Sequence, residues 1–567
     1  MPTAPLLRAS SNRPLALRAL ASATLLLAVA GARGADAIPT AHEPSGEPGF
    51  VKVELPKEAE YLKTLALDKG LVANVWTVGP ELANTVAIDL DFRNRLYAAQ
   101  TWRFRLGGIL DVREHLYLYR DDLKNHTSAD RLAMITKWAS QGKLPLDVYT
   151  RYSERVTWAE DRAGSGRADT FKIFAEGFNG PLDGTAAGIL VTDPTTVWFS
   201  CIPAITRLSD NTGTGVADSR TVISDGYGPR FSLSGHDLHG LVRGPDGRIY
   251  WSVGDRGYSV TGQEGQAFAD NMAGAVFRSE LDGSGLELYY IGLRNPEELA
   301  FNADGDLFTV DNNADMGDEA RVSWLLEGGD SGWQAGWQLL QSASFARTAG
   351  LSGAQPDPWL DEGLWKTRHP GQPAYVLPPA GYCTSGPCGV AYFPSSGWAP
   401  SDQGRFLVCD YRGGFNSGIW SFGVAQKGAT YAVTDTTKFV FNTPATDVAF
   451  GYDGRLYISE YLGQWCVGDQ GRILAVTRPE FAGSAAVADV KALFAAGFGR
   501  RSDAELATLL AHDDLRVRQQ AQFALVGHRQ GYQTLLDAAT SARDVRARVH
   551  GIWGIGQLGR VQAKETA

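Results

Sequence analysis

The sequence has few cysteines, no excess of positive charge and no long apolar run beyond its N-terminal region. Five cysteines in 567 residues are too few for a disulfide-dense scaffold, and none stands in a C-x-x-C-H motif, so no haem attaches covalently to this chain. The 63 acidic residues outnumber the 53 basic ones. This argues against nucleic acid as a partner, because binding to the phosphate backbone needs a cationic face.

Glycine and aromatic residues are abundant, with 65 Gly, 15 Trp, 20 Tyr and 24 Phe. Such a composition favours many short strands joined by tight turns. One phrase recurs, in which an apolar strand, a tight turn and a second strand follow one another. Its clearest copies are VRGPDGRIYWSVGD from Val242, AFNADGDLFTVDNN from Ala300 and AFGYDGRLYISEY from Ala449.

The spacing of this phrase indicates the architecture. Its turn residues Gly247 and Gly305 are 58 residues apart, and the 149 residues from Gly305 to Gly454 are about three times 50. A strand repeat near that length is typical of a β-propeller, whose blades are small antiparallel sheets. We predict a mainly β fold with a six-bladed β-propeller over residues 75–480, preceded by a lead-in over 38–74. A pair of β-sandwiches is the alternative, but it would not need a regular period.

The first 37 residues are typical of a secretory signal peptide. Three arginines precede an apolar stretch over 19–32, and Ala35-Asp36-Ala37 offers a small-residue cleavage site. A membrane anchor is the alternative. Export predicts a periplasmic or secreted protein that does not span the membrane after signal cleavage.

Export would place the cysteines in an oxidising compartment. Cys383 and Cys388 lie in a Gly/Pro loop and could close a small disulfide ring, although only their geometry can decide this. Cys201, Cys409 and Cys466 lie in strand-like runs and are expected to be small buried apolar residues.

Two segments differ from the strand repeat. The nonapeptides over 161–169 and 210–218 resemble calcium loops but hold too few carboxylates, and we interpret them as turns. Helical spacing appears near 129–142 and again after about residue 485. There Asp514 and Arg516 match Asp544 and Arg546 at an offset of 30, which resembles HEAT/ARM-like repeats over 486–567. Only about two repeats are present, so either these helices pack on the propeller or the array is incomplete.

The densest polar cluster lies in the region of three successive strand phrases. His236 and His239 precede one phrase, Arg294 and Asn295 precede the next, and an acidic loop over 311–319 follows it. Together they offer a base, a cation and oxygen ligands suited to calcium. Each of these features alone is also compatible with an ordinary turn.

These residues carry a family resemblance. GHDLHGLVRGPDGRIYWSVGD, GLRNPEELAF and the stretch from Asp318 to Trp333 resemble the soluble quinoprotein glucose/sorbosone dehydrogenases, which are six-bladed propellers holding pyrroloquinoline quinone (PQQ) over a calcium ion. FAEGFNGPLDGTAAGILV and DNNADMGDEARV also resemble a membrane-bound dehydrogenase propeller family. Its members are exported proteins that often continue into HEAT repeats and a cytochrome c domain.

The resemblance implies roles for individual residues. His236 falls at the base that takes a proton from a sugar hydroxyl, and His239 and Arg294 are the other catalytic candidates. The implied cofactor-binding residues are Asn295, Asn312 and Arg412. The implied calcium-binding residues are Asn313, Ala314 and Glu319.

The sequence also departs from the quinoprotein pattern. Two arginines that should clamp the carboxylates of PQQ align with Pro444 and Thr446, and each lost charged hydrogen bond costs about 1.5–3 kcal/mol. His239 replaces a glycine. These departures weigh against PQQ, while the fold carries over.

Two functions are compatible with these sequence features. The first is an exported oxidoreductase that oxidises a sugar or related alcohol and passes electrons to a quinone or to a cytochrome c domain or partner. The alternative is a non-catalytic carbohydrate- or protein-binding propeller on a HEAT-repeat scaffold. The His–Arg–Asn set favours the first, and the missing arginines favour the second.

Overall fold

The computed structural model describes residues 49–105 and 110–566, with side chains up to residue 561. The predicted signal peptide lies outside the described residues. Six sheets, called blades 1 to 6 in chain order, form the six-bladed propeller, and a helical segment follows them. Their strands pair antiparallel except for the short outermost strand of blade 3, which pairs parallel. The strands of each blade are given from the channel outwards.

Blade 1 contains Thr85–Leu90, Leu96–Gln100, Glu154–Glu160 and Thr170–Phe178, and blade 2 contains Ala186–Asp193, Thr196–Cys201, Ala204–Ser209 and Ser219–Asp225. Blade 3 contains Leu238–Arg243, Ile249–Val253, Gly274–Ser279, Glu287–Leu293 and Gly329–Asp330, and blade 4 contains Pro296–Phe301, Leu307–Asp311, Arg321–Leu325 and Gly381–Tyr382. Blade 5 contains Pro387–Tyr392, Arg405–Asp410, Gly418–Lys427, Thr430–Phe441 and Ala66–Leu67, and blade 6 contains Ala445–Phe450, Leu456–Glu460, Gly471–Thr477 and Val72–Gly79. Shorter pairings join Tyr258–Thr261 to Ala267–Asp270 and Phe50–Val51 to Val467–Gly468.

The recurring sequence phrase is the hairpin between the first two strands of a blade. Gly247, Gly305 and Gly454 adopt φ values of 87°, 90° and 77°, which glycine reaches without strain. The polar residue before each turn fixes it with its side chain. Asp246 Oδ1, for example, accepts the backbone N–H of Arg248 at 3.1 Å.

A strand that precedes blade 1 in the sequence closes the ring of blades. Val72–Gly79 pairs antiparallel with Gly471–Thr477 and forms the outer strand of blade 6. The predicted lead-in therefore contributes to the propeller, and this closure gives the last blade a covered edge.

Two inserts cover one end of the propeller. The first lies within blade 1 and contains the helices Tyr119–Asp122, Ser128–Ser140 and Leu146–Arg151, and the second lies within blade 4 and contains Ala335–Gln341, Ala343–Thr348 and Pro358–Asp361. Apolar residues of both inserts share one core cluster, in which Ile135 and Phe345 are buried. The helix predicted near 129–142 is the longest helix in the first insert, and Thr127 and Asp130 form its capping box.

The C-terminal helices pack against the opposite end. They are Pro479–Ala482, Ala485–Ala496, Asp503–Leu509, Leu515–Val526, Gly531–Ser541 and Val545–Thr566. Gln519 and Gln522 donate hydrogen bonds to the carbonyls of Arg243 and Pro245 in a blade 3 turn, at 3.1 and 2.6 Å. Asp514 accepts the N–H of Arg516, and Asp544 accepts that of Arg546 in the same way. The 30-residue match is thus a repeated helix start, while the HEAT/ARM assignment stays a prediction.

The cysteines are free thiols in this structure. Cys383 is buried between blades 4 and 5, whereas the thiol of Cys388 donates to the carbonyl of Gly386 beside the channel, so the two do not form the disulfide ring. Cys201 and Cys409 are buried as expected. Cys466 is only half-buried, because it lies in the loop before Val467.

The two degenerate calcium-like loops join the third and fourth strands of blades 1 and 2. Asp161 accepts the backbone N–H groups of Ser165 and Gly166, and Asp210 accepts those of Thr214 and Gly215. These carboxylates stabilise the turns, as the sequence interpretation proposed. Across the described helices, none combines the length and the hydrophobicity needed to cross a membrane.

Replacement of Arg516 by alanine should detach the helical segment from blade 6. Arg516 Nη1 donates to the carbonyls of Phe450 and Gly451 at 2.9 and 3.0 Å, and Arg516 pairs with buried Asp514. We expect Arg516→Ala to lower the free energy of unfolding by about 2–3 kcal/mol in urea denaturation, because three acceptors lose a charged donor. Arg529→Ala, on the exposed surface of the same segment, should change it by less than about 0.5 kcal/mol. Equal effects of the two variants would contradict this packing.

Candidate functional site

A cavity of about 540 Å³ opens at the end of the channel where the innermost strands begin. Residues at or just before the start of all six inner strands line it, and the first insert adds Phe104, Arg105 and Arg113. Representative lining residues are Ala87, Ala186, His236, Asn295, Gly389 and Thr446. Propellers carry ligand sites on loops at one end of the channel, and this cavity is the candidate functional site.

His236 forms part of one wall of the cavity, and Asp255 lies behind it. His236 lies in the loop before the inner strand of blade 3, and Asp255 follows the second strand of that blade. The distance from His236 Nδ1 to Asp255 Oδ1 is 2.7 Å. Gly254 permits this approach, because a Cβ there would lie 2.8 Å from the backbone of His236. The pairing leaves Nε2 of His236 as the nitrogen that can accept a proton.

Asp255 is itself held firmly. Trp333 from the second insert donates its indole N–H to Asp255 Oδ2 at 2.9 Å. Burial raises the pKa of Asp255, but the charge and hydrogen bond of His236 and the charge of Arg294 outweigh burial and hold the pKa below its ordinary value. Asp255 therefore stays ionised and orients the His236 ring.

His239 differs from His236 in its surroundings. Its Nε2 accepts the backbone N–H of Asp237 at 2.9 Å and lies 3.0 Å from Asn295 Oδ1. Burial lowers the pKa of His239 to about 4, despite the opposing charge of Asp237. His239 is thus a neutral residue that supports the wall, and the better-placed base is His236.

Arg294 is buried yet incompletely paired. Its Nε donates to Gln338 at 3.0 Å and its Nη2 to Asp315 at 2.8 Å, while Nη1 is buried without a hydrogen-bond partner in the described structure. The turn that carries it is fixed by Asp311, whose carboxylate accepts the backbone N–H groups of Arg294 and Asn295. Because Arg294 lines the cavity, this N–H is a candidate donor to the oxygen of a ligand that displaces a neighbouring group.

The structure brings together five of the nine residues proposed from the sequence. The residues that line the cavity are His236, His239, Arg294, Asn295 and Asn312. Arg412, Asn313, Ala314 and Glu319 are not among its lining residues. Arg412 pairs instead with Asp410 at 2.8 Å, and Glu319 is exposed.

Sequence reasoning missed several lining residues. Arg105 and Arg113 come from the first insert, where no strand pattern marks them, and Trp465 comes from a loop in blade 6. Glu297 and Glu298 lie inside the quoted phrase GLRNPEELAF, directly after the Arg–Asn pair. The phrase could have pointed to the glutamates, because acidic residues are unusual in the innermost strand of a sheet.

Carboxyl groups line the floor of the cavity and continue down the channel. Each accepts a backbone N–H from the next blade: Asp89 from Val191, Glu298 from Val390, and Asp447 from Ile88, all at 2.6 Å. The inner strands have no further strand beside them, so these carboxyls satisfy N–H groups that would otherwise lack an acceptor.

Burial raises the pKa values of these carboxyls and of the neighbouring Glu297. Burial raises the pKa of Glu297 to about 8 and that of Asp89 to about 7. Burial and the charge of Asp447 raise the pKa of Glu298, which shares a hydrogen bond with Asp447. The floor therefore offers both donors and acceptors of hydrogen bonds.

The residues present do not reproduce a PQQ–calcium site. The positions of the two expected arginines hold Pro444, which is buried, and Thr446, whose hydroxyl donates to the carbonyl of Thr85. The carbonyl of Ala314 accepts a hydrogen bond from Gln338, and Asn313 donates to the carbonyl of Asp318. Within residues 49–105 and 110–566, no group of three or more His, Cys, Asp and Glu is arranged to hold a metal ion. We assign no step to PQQ or calcium.

Comparison with known proteins identifies relatives. A family model described as "Domain of unknown function (DUF7133)" matches residues 57–464. Quinoprotein glucose dehydrogenase B of Acinetobacter calcoaceticus is 32% identical over 129 residues, which cover 18% of this chain and 26% of that protein. The chain thus spans about a quarter of the length of that relative.

Two solved structures are similar to this chain at low sequence identity. The PQQ-bound form of aldose sugar dehydrogenase from Streptomyces coelicolor is 16% identical, with a TM-score of 0.42, over 73% of this chain and 99% of that chain. The holo form of the pyranose dehydrogenase PQQ domain from Coprinopsis cinerea is 12% identical, with a TM-score of 0.41, over 76% of this chain and 99% of that chain. The predicted resemblance to quinoprotein glucose dehydrogenases is confirmed in part, by the match over 129 residues, and the membrane-bound dehydrogenase family stays a prediction.

The raised carboxyl pKa values predict a pH dependence of stability. An unfolded glutamate ionises near pH 4, whereas folded Glu297 keeps its proton to about pH 8. The folded state thus binds more protons between these values, and its stability falls as pH rises, by up to about 1.4 kcal/mol per pH unit for one carboxyl. Glu297→Gln should make the free energy of unfolding fall less steeply between pH 5 and 8 in urea titrations. The exposed control Glu319→Gln should keep the wild-type slope, and a Glu297→Gln curve parallel to wild type would contradict the assignment.

Proposed function

The chain belongs to the DUF7133 family, and from the geometry of its cavity we propose that it is an oxidoreductase that binds a sugar or related alcohol and removes a proton from one hydroxyl. The observation that carries the proposal is the pairing of His236 with Asp255 in the cavity wall. An ionised carboxylate behind a histidine fixes the tautomer and stabilises the imidazolium that forms when the ring takes a proton.

Arg294 supplies the second part of the proposed site. Its Nη1 has no protein acceptor within the described structure, and the residue is 1% exposed. A hydroxylate or carbonyl oxygen that forms beside this guanidinium would accept a charged hydrogen bond. The arginine would thereby favour the charge that develops as the hydroxyl is deprotonated.

The cavity suits a carbohydrate in size and in polarity. Its volume of about 540 Å³ lies within the ordinary range for small-molecule sites. Glu297 and the Glu298–Asp447 pair place donors and acceptors side by side on its floor. Trp465 offers an apolar surface at the wall. Sugars present hydroxyls and apolar C–H faces that match such a lining.

Oxidation of an alcohol also requires an electron acceptor. The hydroxyl proton passes to His236, and the carbon-bound hydrogen leaves with two electrons, so the first acceptor must be a two-electron oxidant of the quinone class. A cytochrome partner or domain would serve downstream. We propose a periplasmic or secreted location from the N-terminal sequence, and we expect no nucleic-acid partner from the net charge of −10.

The absence of the cofactor clamps supports a second candidate. The positions of the clamping arginines hold Pro444 and Thr446, and a propeller with a polar cavity can bind carbohydrate or protein without catalysis. This binding module shares the cavity but makes no use of a base at His236.

A dye-linked assay separates the two candidates. The purified protein is given a panel of sugars and alcohols with a quinone-class dye acceptor, with and without added PQQ and calcium. We expect turnover that does not depend on PQQ or calcium, and at least a hundredfold loss of kcat in His236→Gln, because a positioned base contributes about that much or more. Asp255→Asn should lower kcat and keep substrate affinity within a few-fold, since it disturbs the tautomer and not the cavity.

The matched control is His512→Gln on the helical segment, which should keep wild-type turnover. Turnover retained by His236→Gln would exclude His236 as the base. Sugar binding without turnover of any substrate would favour the binding module.

A further inference from the structure

Two of the three arginines that line the cavity lie beside one exposed carboxylate, that of Asp315. Asp315 Oδ2 lies 2.8 Å from Arg294 Nη2 and 4.0 Å from Arg113 Nη1, and it also accepts the side-chain amide of Gln338 at 3.0 Å. Arg294 and Arg113 come from different parts of the chain, blade 4 and the first insert. The loop that carries Asp315 thus places a single negative charge between two guanidinium groups on the cavity wall.

Asp315 does not occupy every guanidinium donor of Arg294 and Arg113. Its side chain is half exposed, and its backbone adopts a φ of 61°, which non-glycine residues rarely occupy. Arg113 is also half exposed, although Asp111 pairs with it at 2.7 Å. Arg294 is buried and its Nη1 has no acceptor in the described structure. Both arginines line the cavity, so an anion that displaces the exposed Asp315 carboxylate would take its place between them.

We propose that the substrate is an anionic sugar, whose carboxylate or sulfate ester binds to Arg294 and Arg113 while Asp315 acts as the competing internal counter-ion. The inference rests on the proposed function, because it names the substrate class of the same cavity. Planar guanidinium groups bind carboxylate and sulfate oxygens through paired N–H donors. Arg105, the third arginine of the wall, pairs with Glu114 of the first insert at 3.4 Å.

Neutral sugars would gain little from this arrangement. A neutral ligand that carries only hydroxyls would not replace the Asp315 carboxylate as a counter-ion of Arg294 and Arg113. On the floor, burial raises the pKa of Glu297 to about 8, so this carboxyl does not repel an anion at neutral pH as an ionised carboxylate would. Each arginine of the wall already has a carboxylate partner, so an anion is favoured where it takes the place of Asp315.

The test is a calorimetric titration of the full chain at low salt with D-glucuronate, glucose 6-sulfate and D-glucose. We expect one or both anionic sugars to bind at least about tenfold more tightly than glucose, the factor that one charged hydrogen bond supplies. The comparison of D-glucuronate with glucose 6-sulfate shows whether the site prefers a carboxylate or a sulfate ester. The preference should shrink in 0.5 M salt, because Arg113 is half exposed and open to screening.

Two variants test the residues. Arg113→Gln should bring the ratio of anionic to neutral affinity towards one. Asp315→Asn should raise that ratio by about threefold or more, because it removes the competing charge and keeps an acceptor for Arg294. An increase in affinity cannot arise from misfolding. Arg162→Gln, an exposed arginine in the blade 1 loop, should leave the ratio unchanged.

The outcomes are distinct. Glucose binding as tight as both anionic sugars, or a lower anion affinity in Asp315→Asn, would overturn the anionic-substrate inference and leave the proposed function standing. A complete lack of binding by all three sugars would overturn the proposed function and this inference with it.

Discussion

The structure depends on how the inner strands of the propeller satisfy their backbone N–H groups. These strands have no neighbour on the channel side, and carboxyl groups from adjacent blades supply the acceptors: Asp447 for Ile88, Asp89 for Val191, and Glu298 for Val390. The same side chains link blade 6 to blade 1, blade 1 to blade 2, and blade 4 to blade 5. Because these carboxyls are buried, their pKa values rise, to about 7 for Asp89 and for Asp447, and Glu298 shares a hydrogen bond with Asp447. The same buried carboxyls therefore link neighbouring blades and determine the polarity of the cavity floor.

The wall of the cavity at the end of this channel combines His236 from blade 3, Arg294 from blade 4 and Arg113 from the first insert. Behind the wall, Asp255 of blade 3 contacts His236, and Trp333 of the second insert donates to Asp255. Among the described residues, those that line the cavity come from the propeller and the first insert. The site is therefore assembled from several segments, and an insert contributes both to the wall and to the support of the base.

The fold could be predicted from the sequence because its signals are local. The Asp–Gly turns at Gly247, Gly305 and Gly454 repeat the same hairpin in three blades, and their spacing indicates the number of blades. His236 and Arg294 could be found because they directly precede such hairpins. Arg105 and Arg113 could not, because the insert that carries them has no periodic pattern and reaches the cavity only through tertiary packing. The calcium role of Asn313 and Ala314 came from resemblance alone, and neither residue lines the cavity.

The role of His236 as the base is tested most directly by a crystal structure of the protein with a bound sugar analogue that cannot be oxidised. We expect electron density in the cavity of about 540 Å³, with one ligand oxygen within about 2.6–3.2 Å of His236 Nε2 and another beside Arg294 Nη1. A sugar bound with its hydroxyls turned away from His236, or on another surface of the propeller, would contradict the assignment of His236 as the base.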